Sequence, residues 1–141
     1  MRKLILTTMG LTALMAQSAF AQDMNIEEGK WELTMTADVF GNPLNETSSE
    51  CTAPEDLDRS VTDFLNTISV EMGCTTSGLK STDNIHEGEI VCASDGPFKD
   101  GKFILMTSPR SFSLYLSFKS TIARENNDAK MAILSHKTGP C

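Results

Sequence analysis

Phe112, Leu114, Leu116 and Phe118 alternate with Ser111, Ser113, Tyr115 and Ser117. A period of two puts the apolar side chains on one face of an extended strand and the polar ones on the other. A helix would scatter the same residues around its circumference. Trp31, Leu33 and Met35 repeat the pattern against Lys30, Glu32, Thr34 and Thr36. That stretch predicts a first strand with Trp31, the only tryptophan, as a core anchor. Strands with one buried and one wet face have to share a core, so this alternation constrains the fold more than any other feature.

The chain expected to fold is shorter than the 141 residues of the sequence. Arg2 and Lys3 precede a mostly apolar run from Leu4 to Ala16, too short to span a bilayer comfortably. Ala19-Phe20-Ala21 then supplies the small-x-small pattern of a signal-peptide cleavage site, so residues 1–21 are expected to be removed between Ala21 and Gln22. No lipobox cysteine follows, and no membrane anchor is expected after cleavage. Residues 22–141 then form one exported domain, large enough for a real core. The leader takes two of the 12 basic residues and none of the 19 acidic ones, so the formal charge moves from −7 to −9. Such a domain repels nucleic acid and anionic lipid; a cationic protein partner is compatible with it.

Cys51, Cys74, Cys92 and Cys141 all lie in the exported part. An even number in an exported chain reads as disulfides. No two are spaced for zinc, and no Cys-x-x-Cys redox motif is present. Four cysteines allow three pairings. Cys51 and Cys74 flank a predicted helix of about 15 residues, roughly 22 Å long. Bridged Cα atoms lie about 4.4–6.8 Å apart, so joining those two needs a strained fold-back. The expected pairs are Cys74–Cys92 and Cys51–Cys141.

In chain order, the Trp31 strand runs to Val39 and Gly41-Asn42-Pro43 turns it. A polar strand, Asn45 to Cys51, returns beside it; Asn45-Glu46-Thr47 matches a glycosylation acceptor but carries little weight. Thr52 and Glu55 form a capping box around Pro54 and start a helix over 54–69. Its stripe is Leu57, Val61, Phe64, Leu65 and Ile68. Thr75 to Asn84 reads as a loop or weak edge strand, and Glu89 to Ala93 as a strand. Ser94-Asp95-Gly96-Pro97 turns, and Asp100-Gly101 is the strongest hairpin signal. Phe103–Thr107, Ser111–Phe118 and Lys130–Lys137 complete the strands, with a polar turn over Arg124–Asp128.

His86 reads as a polar-loop residue near Glu87 and Glu89 without further ligands, and His136 has no obvious partner. No serine sits in a Gly-x-Ser-x-Gly elbow, and no glycine-rich phosphate loop is present. Met24, Met35, Met72, Met106 and Met131 are scattered, as core gap-fillers are, rather than clustered as soft metal ligands. No catalytic residue, metal or cofactor is expected.

These residues together resemble a bacterial family of exported proteins, domain-of-unknown-function family 3617. Its Pro-Gly-Leu-Trp-Glu opening stands here as Glu28-Gly29-Lys30-Trp31-Glu32, keeping Gly, Trp and Glu. Its cysteine leading into Pro-Glu and an acidic-Leu helix start stands as Cys51 to Leu57. Cys74, Cys92 and the closing Gly139-Pro140-Cys141 match as well. The resemblance implies a Gram-negative periplasmic protein and implies no activity.

The fold expected is α+β: a curved antiparallel sheet of six or seven strands packed on the 54–69 helix, the alternative being a closed all-β barrel plugged by the helix. The expected core is Trp31, Leu33, Met35, Val61, Phe64, Leu65, Ile68, Ile90, Phe112, Leu114, Leu116 and Phe118. The function expected is non-catalytic: binding a small apolar ligand between sheet and helix, with Trp31, Phe112 and Phe118 facing it. The rival is an interaction or inhibitor-type envelope protein using its acidic surface on a cationic partner.

Overall fold

The computed structural model describes residues 23–39, 41–53, 60–120 and 128–141. The elements are β1 (Gly29–Val39), β2 (Asn42–Thr52), α1 (Val61–Glu71), β3 (Cys74–Thr82), β4 (Ile85–Cys92), β5 (Phe98–Ser108), β6 (Ser111–Ser120) and β7 (Ala129–Gly139). They build one antiparallel sheet of seven strands in the order β2-β1-β7-β6-β5-β4-β3. Among the described residues β2 and β3 are its edges, so the sheet is open and the barrel alternative is not adopted. Every neighbour follows in sequence except β1 and β7, which pair the first strand with the last.

The Trp31 and Phe112 strands form as their alternation predicts. Trp31, Phe112, Leu114, Leu116 and Phe118 are all buried on one face. Phe103 and Leu105 of β5 and Ile133 of β7 join them from adjacent strands, as does Ala129. Leu33, Met35, Phe64 and Ile68, expected in the core, are only partly buried and pack against it. Trp31 Nε1 donates to the Glu27 carbonyl at 3.0 Å, which satisfies the indole where it leaves water.

The helix begins later than its sequence signal. Its cap is Ser60, whose Oγ accepts from the Asp63 amide at 3.1 Å and donates to the Asp63 carboxylate at 2.9 Å. Asp63 also places negative charge at the positive end of the helix. Thr52 ends β2 instead of capping α1. Residues 54–59, including Glu55 and Leu57, lie outside the described residues. Val61, Leu65 and Ser69 form the buried stripe, and Gly73 closes the helix at φ 70°.

Two turns fall elsewhere than expected. Asn42 and Pro43 already belong to β2. The Asp100-Gly101 pair lies inside β5, and residues 93–97 connect β4 to β5 instead. A Cβ on Gly101 would run into the Ser117 carbonyl oxygen across the β5–β6 ladder. Glycine is there for close approach beside a register shift, not for a type I′ turn. The stretch Thr75–Asn84 forms most of β3, an edge strand, up to Thr82, and Asp83-Asn84 turn into β4. The Arg124–Asp128 turn lies outside the described residues except for Asp128.

The disulfides are the expected pairs; helix length excludes only Cys51–Cys74, and the sheet decides between the two pairings that remain. Cys74 and Cys92 face each other in register across β3 and β4, with Cα atoms 4.0 Å apart. Cys51 at the end of β2 joins Cys141, with Cα atoms 5.9 Å apart, and ties the C-terminus to an edge strand.

Candidate functional site

Sheet and helix close on each other where a ligand cavity was expected. Trp31 is 3% exposed and its ring centroid lies 6.2 Å from that of Phe112. Phe64 of α1 stands edge-on to Phe112 at 5.3 Å. These rings fill the space between the layers with one another. Phe118 lies six residues along β6 from Phe112, about 20 Å away, and packs on Phe98 at 5.0 Å. The three aromatic residues do not surround a common space. The Ala21–Gln22 cleavage site lies outside the described residues.

An open trough of about 600 Å³ crosses five strands instead. Its lining falls into three consecutive rungs of the sheet, read in the order β2, β1, β7, β6, β5. The first is Asn45, Thr36, Ala132, Tyr115 and Ile104; the second is Leu44, Ala37, Met131, Leu116 and Phe103; the third is Pro43, Asp38, Lys130, Ser117 and Lys102. Ala37, Leu116 and Phe103 are buried, so the second rung points into the core. By alternation the first and third rungs point to the opposite face, away from α1.

The accessible lining of this trough is almost entirely apolar, and its second rung, which includes the exposed Leu44, is apolar throughout. Tyr115 and Ile104 are cross-strand partners, 43% and 44% exposed, and Ala132 lies on Tyr115's other side. The next rung on this face adds exposed Ile85, Met106 and Leu134. Five large apolar side chains therefore share one outward sheet face. Two other clefts, of about 660 and 710 Å³, have mixed polar walls; Phe118 and Phe98 line the former, and the Cys51–Cys141 region the latter.

The exposed apolar face has a signal in the sequence. Tyr115 stands among serines at the wet positions of β6, and Ile104 and Met106 interrupt the alternation of β5. Apolar residues at outward positions on neighbouring strands mark a surface patch, but only register shows them adjacent.

His86 is placed quite differently from its expected polar loop. It lies in β4, 1% exposed, with Nδ1 2.8 Å from Ser81 Oγ and Nε2 3.4 Å from Thr107 Oγ1. Burial pushes its pKa below the ordinary 6.5. Both ring nitrogens are taken up by hydroxyls, so His86 is a polar member of the core. His136 lies 3.9 Å from Glu32 on the outer face. Among the described residues no group of three His, Cys, Asp or Glu is placed to hold a metal ion.

No curated protein and no solved structure matches the chain. A family model, described as protein of unknown function (DUF3617), matches residues 26–141. That span runs from just before the Gly29-Lys30-Trp31-Glu32 opening to the closing cysteine and takes in all seven strands, so the chain belongs to the DUF3617 family.

Proposed function

We propose that this is a non-catalytic periplasmic binding protein that takes a small apolar ligand in the trough that crosses the five strands. The observation that carries the reading is the Tyr115–Ile104 wall. Solvent-facing positions of a sheet are ordinarily polar, and here neighbouring strands expose large apolar side chains side by side. The volume of about 600 Å³ falls in the range of about 300–1,000 Å³ usual for small-molecule sites. The two disulfides are compatible with an oxidising compartment, as is the leader expected over residues 1–21.

Nile red, a neutral apolar dye, tests this. Its emission should rise on binding the purified domain. The double variant Tyr115→Ser, Ile104→Thr should lose most of that rise, because both replacements suit a strand and remove only the apolar wall. Equal binding by that variant would place the ligand elsewhere, and no binding by either protein would end the reading.

A second reading attaches to β2. It is an edge strand of 11 residues, exposed along nearly its whole length, and carries Glu46 and Glu50. An extended cationic segment could add to it as a further strand. Such association should weaken as salt rises.

A further inference from the structure

The two faces of the sheet are covered unequally. α1, the only helix among the described residues, packs on the face that holds Phe112. The opposite face keeps Ile85, Ile104, Met106, Tyr115 and Leu134 between 37% and 44% exposed. These side chains lie at the centre of that face, in two adjacent rungs across β7, β6, β5 and β4. The rung before them runs Asp38, Lys130, Ser117, Lys102, Glu89, with its charges in balance. The rung after them holds Glu32, His136 and Ser111. An apolar centre inside a polar rim is how a protein–protein interface is built. Ile85, Met106 and Leu134 lie outside the trough, so a small ligand in the trough leaves them in water.

The face is complementary to itself. A two-fold axis parallel to the strands, midway between β5 and β6, sets β6 over β5 of a second copy, β7 over β4 and β1 over β3. By the strand register Tyr115 then meets Ile104 of the second copy, Leu134 meets Ile85, and Lys130 meets Glu89. Each contact occurs twice by symmetry. Lys130 and Glu89 are exposed and make no ion pair with a described residue, although Asp38 and Lys102 lie beside them in the rung. Other placements of the axis fail. Over β6 it sets Lys130 on Lys102 and Asp38 on Glu89. Over β5 it sets Lys102 on its own copy-mate and Tyr115 on Glu87. Between β6 and β7 it joins Lys102 to Asp38 but lays Ile85 and Met106 on threonines. Midway between β5 and β6, apolar side chains meet apolar ones and a cation meets an anion.

We propose that the outward face is a homodimer interface, two sheets stacked with Tyr115 on Ile104, Leu134 on Ile85 and Lys130 on Glu89 across the two-fold axis. Stacked sheets lie about 10 Å apart with strand directions within about 30°, so the facing rungs stay in reach of one another. Six strands overlap, from β1 to β3 in sheet order. They span about 24 Å, and eight residues of strand run about 26 Å. That footprint is roughly 600 Å² in projection, and side-chain relief brings its accessible area to the order of the ~800 Å² that each partner gives to a stable complex. β2 lies beyond the overlap and keeps its free edge. The proposal does not rest on the ligand reading. Tyr115 and Ile104 enter both, so a ligand seated on them competes with the second copy.

Sedimentation equilibrium tests the dimer, and nitration by tetranitromethane tests where it forms. The full disulfide-bonded domain should sediment at twice the mass of residues 22–141 in the micromolar range and fall to the single mass on dilution. Tyr115 is the only tyrosine, so nitration reports on this face alone and should be slowed in the dimer. Ile85→Thr with Leu134→Thr should be monomeric with unchanged circular dichroism, because both positions are exposed and threonine suits a strand. Lys130→Glu should weaken association roughly tenfold, since two ion pairs become two carboxylate contacts. Adding Glu89→Lys should regain it, which a merely structural effect of either change would not. A single mass at every concentration overturns the proposal. So does a dimer in which Tyr115 stays open to nitration, which would place the contact elsewhere, or a charge swap that fails to restore association. Nile red emission from a protein of single mass removes the dimer and leaves the ligand reading; a dimer that binds no dye does the reverse.

Discussion

Ser81 and His86 face each other across β3 and β4, with His86 Nδ1 2.8 Å from Ser81 Oγ and the imidazole closed off from water. Burial holds the pKa of His86 below 6.5, so the folded state binds fewer protons than the unfolded chain as pH falls past that value. The contribution to stability is complete above about pH 6.5 and is lost as pH falls from there through the folded pKa. Urea denaturation at a series of pH values should show this decline, and His86→Gln should flatten it. An identical slope in the variant would assign the titration to another group.

Gly101 and Gly88 have no room for a methyl group. A Cβ at 101 would meet the Ser117 carbonyl, and one at 88 would meet the Phe103 ring and the Ser77 carbonyl. Gly101→Ala and Gly88→Ala should each destabilise by about 1–3 kcal/mol. Denaturant midpoints measure this. Gly41→Ala supplies the contrast, since the space around it is open and its cost comes from φ 80° alone.

Trp31→Ala should cost about 3–5 kcal/mol. The change removes the indole's packing on Phe112 and its bond to the Glu27 carbonyl. Fluorescence cannot follow this variant, so circular dichroism in urea is the appropriate measurement. Near-parental stability would mean that the β1 face is not anchored by this side chain.

The two bridges should differ in value. Cys51–Cys141 spans 90 residues and Cys74–Cys92 spans 18. In the chain-entropy account the longer loop stabilises by about 1.4 kcal/mol more. Paired Cys→Ala variants, compared by denaturation, test the difference. Unreduced peptide mapping of the parent should recover Cys74 linked to Cys92, and a Cys51–Cys74 peptide would contradict the pairing.

Export predicts a mature chain starting at Gln22. Intact mass from a periplasmic extract should correspond to residues 22–141 with four cysteines oxidised. A full-length cytoplasmic product would remove the periplasmic reading.

What the sequence determined by itself is local. Alternation at Trp31–Met35 and Phe112–Phe118 specifies which side chains share the core face, because a strand has only two faces; how deeply Leu33 and Met35 are buried it leaves open. The four cysteines and the helix stripe between Cys51 and Cys74 limited the pairing, since a helix holds its two ends apart. Where two local signals competed, packing decided. Ser60 caps α1 although Thr52-Ala53-Pro54-Glu55 carries the stronger motif, and Asp100-Gly101 serves a close strand contact instead of a turn. Tertiary structure alone decided three further things. It placed His86 between two hydroxyls in the core, closed the expected cavity with Trp31, Phe112 and Phe64, and aligned Tyr115, Ile104, Lys102 and Lys130 on one outward face. Each depends on the register between strands distant in sequence, and register comes from the assembled sheet, not from the pattern of any one strand.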